Sequence, residues 1–199
     1  GEQELMDIDR ALKLGEDDNV TYVLRDLFDY QGELVRGALA RLEQMRWQVV
    51  LNGGIEVQAN LDQGRNVAYQ FSFDPDNTWA NNNVVTIEGT SAWNVVDDTA
   101  TGNPIEDLDD IVNTAQDAGT IVSEAYMNTT TFRTMMSHPA VKEQLNPNGM
   151  LQTREQQRTL LSDYLGLNFH IYDGRFNIKN EETGEFETQK FIPDGVISL

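Results

Sequence analysis

Gln44-Met45-Arg46-Trp47-Gln48-Val49-Val50-Leu51-Asn52-Gly53-Gly54 joins a helix to a hairpin, and its reading decides the fold. Upstream, Leu27, Leu34, Ala38, Leu42, Met45 and Val49 recur at helical spacing, and Phe28, Val35 and Leu39 widen the stripe. The helix is expected to begin at Asp17, Asp18 or Asn19, each a competent N-cap, and to stop at Asn52-Gly53-Gly54, where glycine accepts the left-handed backbone that closes helices. That is roughly thirty residues, or about 45 Å at 1.5 Å per residue. Charges at Arg25, Asp26, Glu33, Arg36, Arg41 and Glu43 flank the stripe, as in a helix that packs along a sheet or a neighbouring subunit.

Downstream of the glycines, Ile55 to Leu61 and Val67 to Phe73 each alternate apolar and polar residues across the polar turn Asp62-Gln63-Gly64-Arg65-Asn66, which predicts a β-hairpin. Asp74 to Asn83 reads as a long polar loop and Val84 to Glu88 as a further strand. The next helix is well marked: Asn103 as N-cap, Pro104 at the first helical position, and Glu106, Asp107, Asp109 and Asp110 near the positive end of the dipole. Its apolar face is Ile105, Leu108, Ile111, Val112, Ala115 and Ala118, and Gly119 closes it.

Thr120 to Met127 predicts a strand, followed by a helix around Phe132, Met135 and Met136 that breaks at His138-Pro139 into another through Val141 and Leu145. Thr153 and Gln156 form a capping-box pattern for a helix carrying Leu160, Leu161, Tyr164 and Leu165 and stopped at Gly166. Leu167 to Tyr172 alternates into Asp173-Gly174, the strongest hairpin signal in the chain, with Arg175 to Ile178 returning and Phe186 to Ile192 extending a β-meander past the turn at Asn180 to Glu185. Helices and strands in this order make an α+β fold rather than a repeating βαβ pattern.

Composition narrows the function. Across 199 residues, 33 acidic against 14 basic side chains leave a net charge of -19, whose field repels phosphate backbones and anionic lipid, so sequence-specific nucleic-acid binding and membrane binding are not expected. Cysteine is absent, which removes disulfides, thiolate zinc sites and thiol nucleophiles together. No apolar run of transmembrane length and no signal-peptide pattern occurs, as expected of a soluble, untargeted chain. The chain starts at Gly1 and stops within Phe191 to Leu199, a strand-turn-strand pattern, so it reads as a piece of a longer protein with part of its sheet elsewhere.

No catalytic constellation stands out. His138 and His170 sit in different elements, without the HExxH spacing of a metal site, and phosphate loops and serine nucleophile elbows are missing. The acidic clusters Glu16-Asp17-Asp18, Asp97-Asp98 and Glu106 to Asp110 read as solvated loops and helix-dipole compensation, and Asp74-Pro75-Asp76-Asn77-Thr78 begins a calcium-loop pattern without its glycine or terminal Glu. No catalytic, cofactor-binding or metal-ligating residue is therefore assigned, no cofactor is expected, and the chain reads as a building block rather than an enzyme. Trp79, exposed in its Asn-rich loop, supports an alternative as a glycan-binding surface module.

An Arg- and Glu-bearing helix running through Trp47 into Gly53-Gly54, Trp93 shortly before Asn103-Pro104-Ile105 with Asp107, Asp109 and Asp110, then Ala125-Tyr126-Met127-Asn128 and Ser137-His138-Pro139-Ala140-Val141-Lys142 follow in order. Leu165-Gly166-Leu167-Asn168-Phe169-His170-Ile171-Tyr172-Asp173 and Phe191-Ile192-Pro193-Asp194-Gly195 complete the set. This order resembles the major capsid protein E family of tailed phages, the family of the lambda major head protein, from about Asp17 onward. The resemblance implies the Hong Kong 97-type shell fold with an extended β-hairpin arm, a spine helix, and peripheral and axial domains. Residues 1–16 would be an N-terminal tail, 17–52 the long helix, 53–102 the arm and its loop, 103–119 the spine helix, and 120–199 an axial-domain-like α+β region with truncated peripheral strands. It further implies a structural capsid subunit that self-assembles as hexamers and pentamers of an icosahedral shell around a DNA genome. Scaffolding, portal and decoration proteins would be further partners, with assembly in the host bacterial cytoplasm and residence in the virion.

Overall fold

The computed structural model describes the backbone of residues 17–61, 65–97, 99–146, 148–179 and 185–199. Residues 1–16, 62–64, 98, 147 and 180–184 and the side chains of 17–30, 56–69 and 179 lie outside the described residues, and with them the expectations for the N-terminal tail, for the turns at Asp62 to Gly64 and Asn180 to Gly184, and for Arg25, Asp26, Leu27 and Phe28. Helices and strands are mixed in an α+β arrangement, and the chain divides into two units, Gly1–Arg46 and Trp47–Leu199.

The first unit holds most of helix α1, Asp17–Asn52. Of its described apolar residues, Leu34, Val35, Leu39 and Leu42 are exposed, Leu39 at 60%, while Met45 is half-buried. The helix ends at Gly53, whose φ of 64° lets its N–H reach the Val49 carbonyl at 2.9 Å. A β-carbon there would strain the backbone in the left-handed region.

The second unit begins with Trp47 and contains everything else. Strands β1 (Gly54–Leu61) and β2 (Arg65–Ser72) form an antiparallel pair with Gly54 opposite Ser72 and Leu61 opposite Arg65. The stretch after it is not simply a loop, because Thr78–Asn83 forms helix α2. Asp74 accounts for this: its carboxylate accepts from the Trp79 and Ala80 N–H groups at 2.9 and 2.8 Å, satisfying donors that a helix start leaves open. Val84 to Glu88, expected as a strand, has no ladder partner among the described residues and leaves Val84 and Val85 exposed. An extended segment without a ladder partner is no strand.

Helix α3, Pro104–Asp117, starts as its residues dictate: the Asn103 side chain accepts from the Ile105 N–H at 3.2 Å, and Pro104, Ile105, Leu108 and Val112 are buried. The strand expected from Thr120 is shorter, β3 being Glu124–Met127. Thr120 still belongs to the helix terminus, its N–H bonding the Ala115 carbonyl at 2.8 Å, and pairing with the next strand begins only at Glu124.

Helices α4 (Thr129–Ser137), α5 (Pro139–Leu145) and α6 (Arg154–Leu165) lead to β4, Asn168–Ile171. The capping box of Thr153 with Gln156 is present in both directions, and Gly166 closes α6 at φ 67°. β4 lies parallel to β3, Glu124 opposite Asn168 and Tyr126 opposite His170, while β7 (Ile197–Ser198) pairs antiparallel on the other side of β3. Strand alternation sends Ala125, Met127 and Phe169 to the core with Leu108, Phe132, Met135, Val141 and Leu161.

Asp173-Gly174 does not make the expected hairpin, and no continuous meander forms. Strand β5 (Arg175–Lys179) pairs with β6 (Phe186–Lys190), not with β4. A two-residue type I′ turn needs positive φ at both central residues, and neither position has it. The Tyr172 N–H instead bonds the Met127 carbonyl at 2.8 Å, and the Asp173 side chain is taken up by another element.

Candidate functional site: a polar hub and two uncovered apolar surfaces

Three of the quoted segments, distant in sequence, meet at the end of β3. Asn128, fully buried and the N-cap of α4, accepts through Oδ1 from the Thr131 N–H and hydroxyl at 2.9 and 3.1 Å. Its amide Nδ2 donates to the Ile192 carbonyl and to Asp194 Oδ1, both at 2.9 Å. Gly195, at φ 80°, donates its N–H to the Thr131 hydroxyl, so the Pro193-Asp194-Gly195 turn is latched onto the start of α4. Lys190 Nζ lies 2.5 Å from Asp194 Oδ1 and 2.9 Å from Thr130 Oγ1. Its bond, ahead of that from Asn128, holds the Asp194 carboxyl below its ordinary range.

Asp173 completes the hub from the β4 side. Its carboxylate accepts from the Thr129 hydroxyl and from the Thr129 N–H, the latter at 2.8 Å, and the hydroxyl first and the N–H second lower its pKa. The buried Asn128 amide is stable here because both its oxygen and its nitrogen have partners.

The outer face of the β3–β4 pair carries the other polar cluster. Asn168 donates to Glu124 at 3.0 Å and the His170 ring pairs with the same carboxylate; these two contacts, Asn168 first, lower the Glu124 pKa. His170 stacks on Tyr126 with ring centroids 4.7 Å apart, and Trp47 rests edge-on against Tyr126 at 5.9 Å and tilted on Tyr172 at 5.5 Å. Trp47 thereby joins the end of α1 to this sheet, within the second unit.

His138 and His170 serve separate structures. His138 is buried, and its Nδ1 accepts from the Ala140 N–H at 3.3 Å as the N-cap of α5, while Nε2 has no partner. Among the described residues no group of three His, Asp or Glu side chains is placed to hold a metal ion. In the segment Asp74 to Thr78, the Asp74 oxygens cap α2 and Asp76 accepts from the Thr78 N–H at 3.3 Å. No described helix is long and apolar enough to cross a membrane.

Sequence reading missed one structural pairing. Trp93 Nε1 donates to Asp107 Oδ2 at 2.7 Å, tying the loop before α3 to its first turn while the indole packs against the core. Trp before an Asn-Pro helix was visible; the bond across fourteen residues had no local signal. Trp79 is half exposed, and its ring edge would lie 3.7 Å from a β-carbon at Gly53, so it covers the end of α1.

Among the described residues large apolar side chains are exposed in several places, and two of these bear on α1 and the hairpin. One is the α1 stripe; the other is the hairpin base, where the Phe71 and Phe73 rings meet edge-on at 4.8 Å and are both exposed. Contiguous exposed apolar side chains of this kind mark association surfaces.

Among known proteins, no curated protein matches the chain. A crystal structure whose protein is provisionally assigned as a capsid protein of an E. coli CFT073 prophage is similar at 18% identity and a TM-score of 0.48, over 90% of this chain and 50% of that one. The chain thus spans half the length of that protein. The family model of phage major capsid protein E matches residues 2–199. With all but the first residue covered by that match, the chain belongs to the phage major capsid protein E family.

Proposed function

We propose that this chain is the shell-building part of a tailed-phage or prophage major capsid subunit, which self-assembles into an icosahedral shell around a DNA genome. The observation that carries the reading is membership of the capsid family across residues 2–199. The apolar surfaces left exposed on α1 and at the hairpin base support it, since a shell subunit must bury such surface against neighbouring copies.

In this reading the architecture is Hong Kong 97-type. Residues 53–102 supply the extended arm, 103–119 the spine helix, and 120–199 an axial-domain-like region with the latched Pro193-Asp194-Gly195 turn at one end. Its partners are copies of itself in hexamers and pentamers, with scaffolding, portal and decoration proteins added in the host cytoplasm. The role is structural, not enzymatic. A net charge of -19 disfavours a grip on the packaged DNA.

Negative-stain electron microscopy of the complete protein, expressed alone and with its neighbouring genes, tests this. Closed or aberrant shells are expected, and dispersed monomers under every condition overturn it. Deleting 56–71 is expected to leave folded subunits that build no shells; normal particles from that deletion would remove the arm assignment.

A further inference from the structure

We propose that Asn148 is a site of spontaneous covalent modification, deamidation through a succinimide, and that the fold protects the chain's other Asn-Gly pair, Asn52-Gly53, from the same reaction. The inference is independent of the assembly reading above. Asn-Gly is the dipeptide most prone to this reaction, because glycine has no β-carbon to shield the attacking nitrogen. The chain carries it at 52–53 and at 148–149. The Gly149 main-chain nitrogen, giving up its proton to solvent, attacks Cγ of Asn148. The N–Cγ bond forms, the Cγ–Nδ2 bond breaks, and Nδ2 leaves with that proton equivalent as ammonia. Water then opens the ring at either carbonyl, giving aspartate or isoaspartate, with no oxidant or reductant involved.

Ring closure requires the asparagine side chain to swing over the following peptide and the glycine N–H to be released. Both asparagines are exposed, so exposure does not separate them. The backbone does. Asn52 is the last residue of the 36-residue helix α1, and the buried Gly53 donates its N–H to the Val49 carbonyl at 2.9 Å while its own carbonyl accepts from the Phe73 N–H at 2.8 Å. The Trp79 ring covers the same glycine. Turning that peptide would undo the helix end, the hairpin base and the indole contact together. Gly149 is exposed, with no atom within 4 Å of where a β-carbon would stand, and its N–H is held by the Asn146 carbonyl at 3.0 Å. The Asn148 amide has no hydrogen-bond partner among the described residues. Opening one turn bond in an exposed loop is a low-energy local event.

The Asp-Gly pairs, which reach the same ring more slowly, have their carboxylates engaged: Asp173 accepts from Thr129, and Asp194 from Asn128 and Lys190. The reactive position also lies inside a clamp. Asn146, which caps the end of α5, donates Nδ2 to the Met150 carbonyl at 2.8 Å and accepts the Met150 N–H through Oδ1 at 2.9 Å. Deamidation within this loop adds a negative charge, and the isoaspartyl product adds a carbon to the main chain that the clamp spans. Met150, 70% exposed, and the fully exposed Leu151 are thereby re-aimed as the protein ages.

The test is incubation of the full chain at mildly alkaline pH, folded and in concentrated urea. Peptide mapping by mass spectrometry follows amide-to-acid conversion at each asparagine, and methylation by an isoaspartyl methyltransferase marks the rearranged product. In the folded protein Asn148 is expected to convert at least about tenfold faster than Asn52, and in urea, where only the dipeptide counts, the two rates are expected to converge. Asn148→Gln, whose longer side chain closes the ring far more slowly, is expected to remove the isoaspartyl signal from this loop. An intact amide at Asn148 in the folded protein, or a loop signal that survives Asn148→Gln, overturns the site. Equal rates at Asn148 and Asn52 in the folded protein, or a rate ratio that urea leaves unchanged, overturn protection by the fold.

Discussion

Phe132 and Phe73 are the same residue in opposite circumstances. Phe132, on α4, is 2% exposed and packed among Met127, Met135 and Leu161; Phe73, past the end of β2, is 62% exposed beside Phe71. Around Phe132 the core is closed and the neighbouring hub of Asn128, Thr131, Ile192 and Asp194 has its hydrogen bonds made. Around Phe73 a hairpin base is ordered by backbone pairing and by the Asp74 cap, yet its apolar side chains have no cover. One region has its apolar side chains covered by the chain's own contacts; the other leaves them exposed.

The comparison breaks if the two phenylalanines respond alike. Phe132→Ala is expected to cost about 4 kcal/mol in urea unfolding, through lost transfer energy and the cavity left behind. Phe73→Ala is expected to stay within about 0.5 kcal/mol in the same assay while lowering particle yield. Equal stability losses would show that the hairpin base is covered within the single chain.

The polar hub sharpens the same contrast. Asn128→Ala removes four hydrogen bonds and leaves the buried Ile192 carbonyl unmatched, so a loss of about 3 kcal/mol is expected in chemical denaturation. A loss under about 1 kcal/mol would mean the latch is not a stabilising element.

Trp93→Phe keeps most of the ring and deletes the donor to Asp107, with an expected loss of about 1 kcal/mol, read from the shift in denaturation midpoint. No shift would show that the loop before α3 is held by packing alone.

The smallest effect is the acid dependence. Asp173, Asp194 and Glu124 all have folded-state pKa values lowered, by the Thr129 hydroxyl, Lys190 and Asn168 as first causes. A depressed carboxylate contributes stability above its unfolded value of about 4, and that contribution disappears as pH falls through the lower folded value. Stability should therefore decline on acidification below about pH 4, and Asp173→Asn should flatten that decline. An unchanged slope would place the acid sensitivity elsewhere.

Local chemistry made much of this fold legible. Asn103-Pro104, Thr153 with Gln156, Gly53, Gly119 and Gly166 announce helix ends because capping depends on residues within one turn of one another. The alternation of Ala125, Met127 and Phe169 likewise marks a core face, since the strand period is a property of the backbone. Asp173-Gly174 misled for the opposite reason. A turn dipeptide states what the backbone can do, and here the Asp173 carboxylate finds better use bonding Thr129, forty-four residues away. The same holds for Asp74, read as loop and found as a cap, and for Trp93 with Asp107. The motifs at Asn128, Asp173 and Asp194 were visible one by one, and nothing in their spacing said that they meet.

By itself the sequence determined where most helices begin and end, which faces are apolar, the strongly acidic balance, and the order of segments that marks the family. Only the tertiary structure decided that β3 and β4 run parallel, that β5 leaves them for β6, and that the Pro193 turn is latched to α4. It also decided which apolar stripe stays bare. Capping and periodicity are set by neighbours within a few residues, whereas strand partners and buried polar contacts are chosen by competition among every segment of the folded chain.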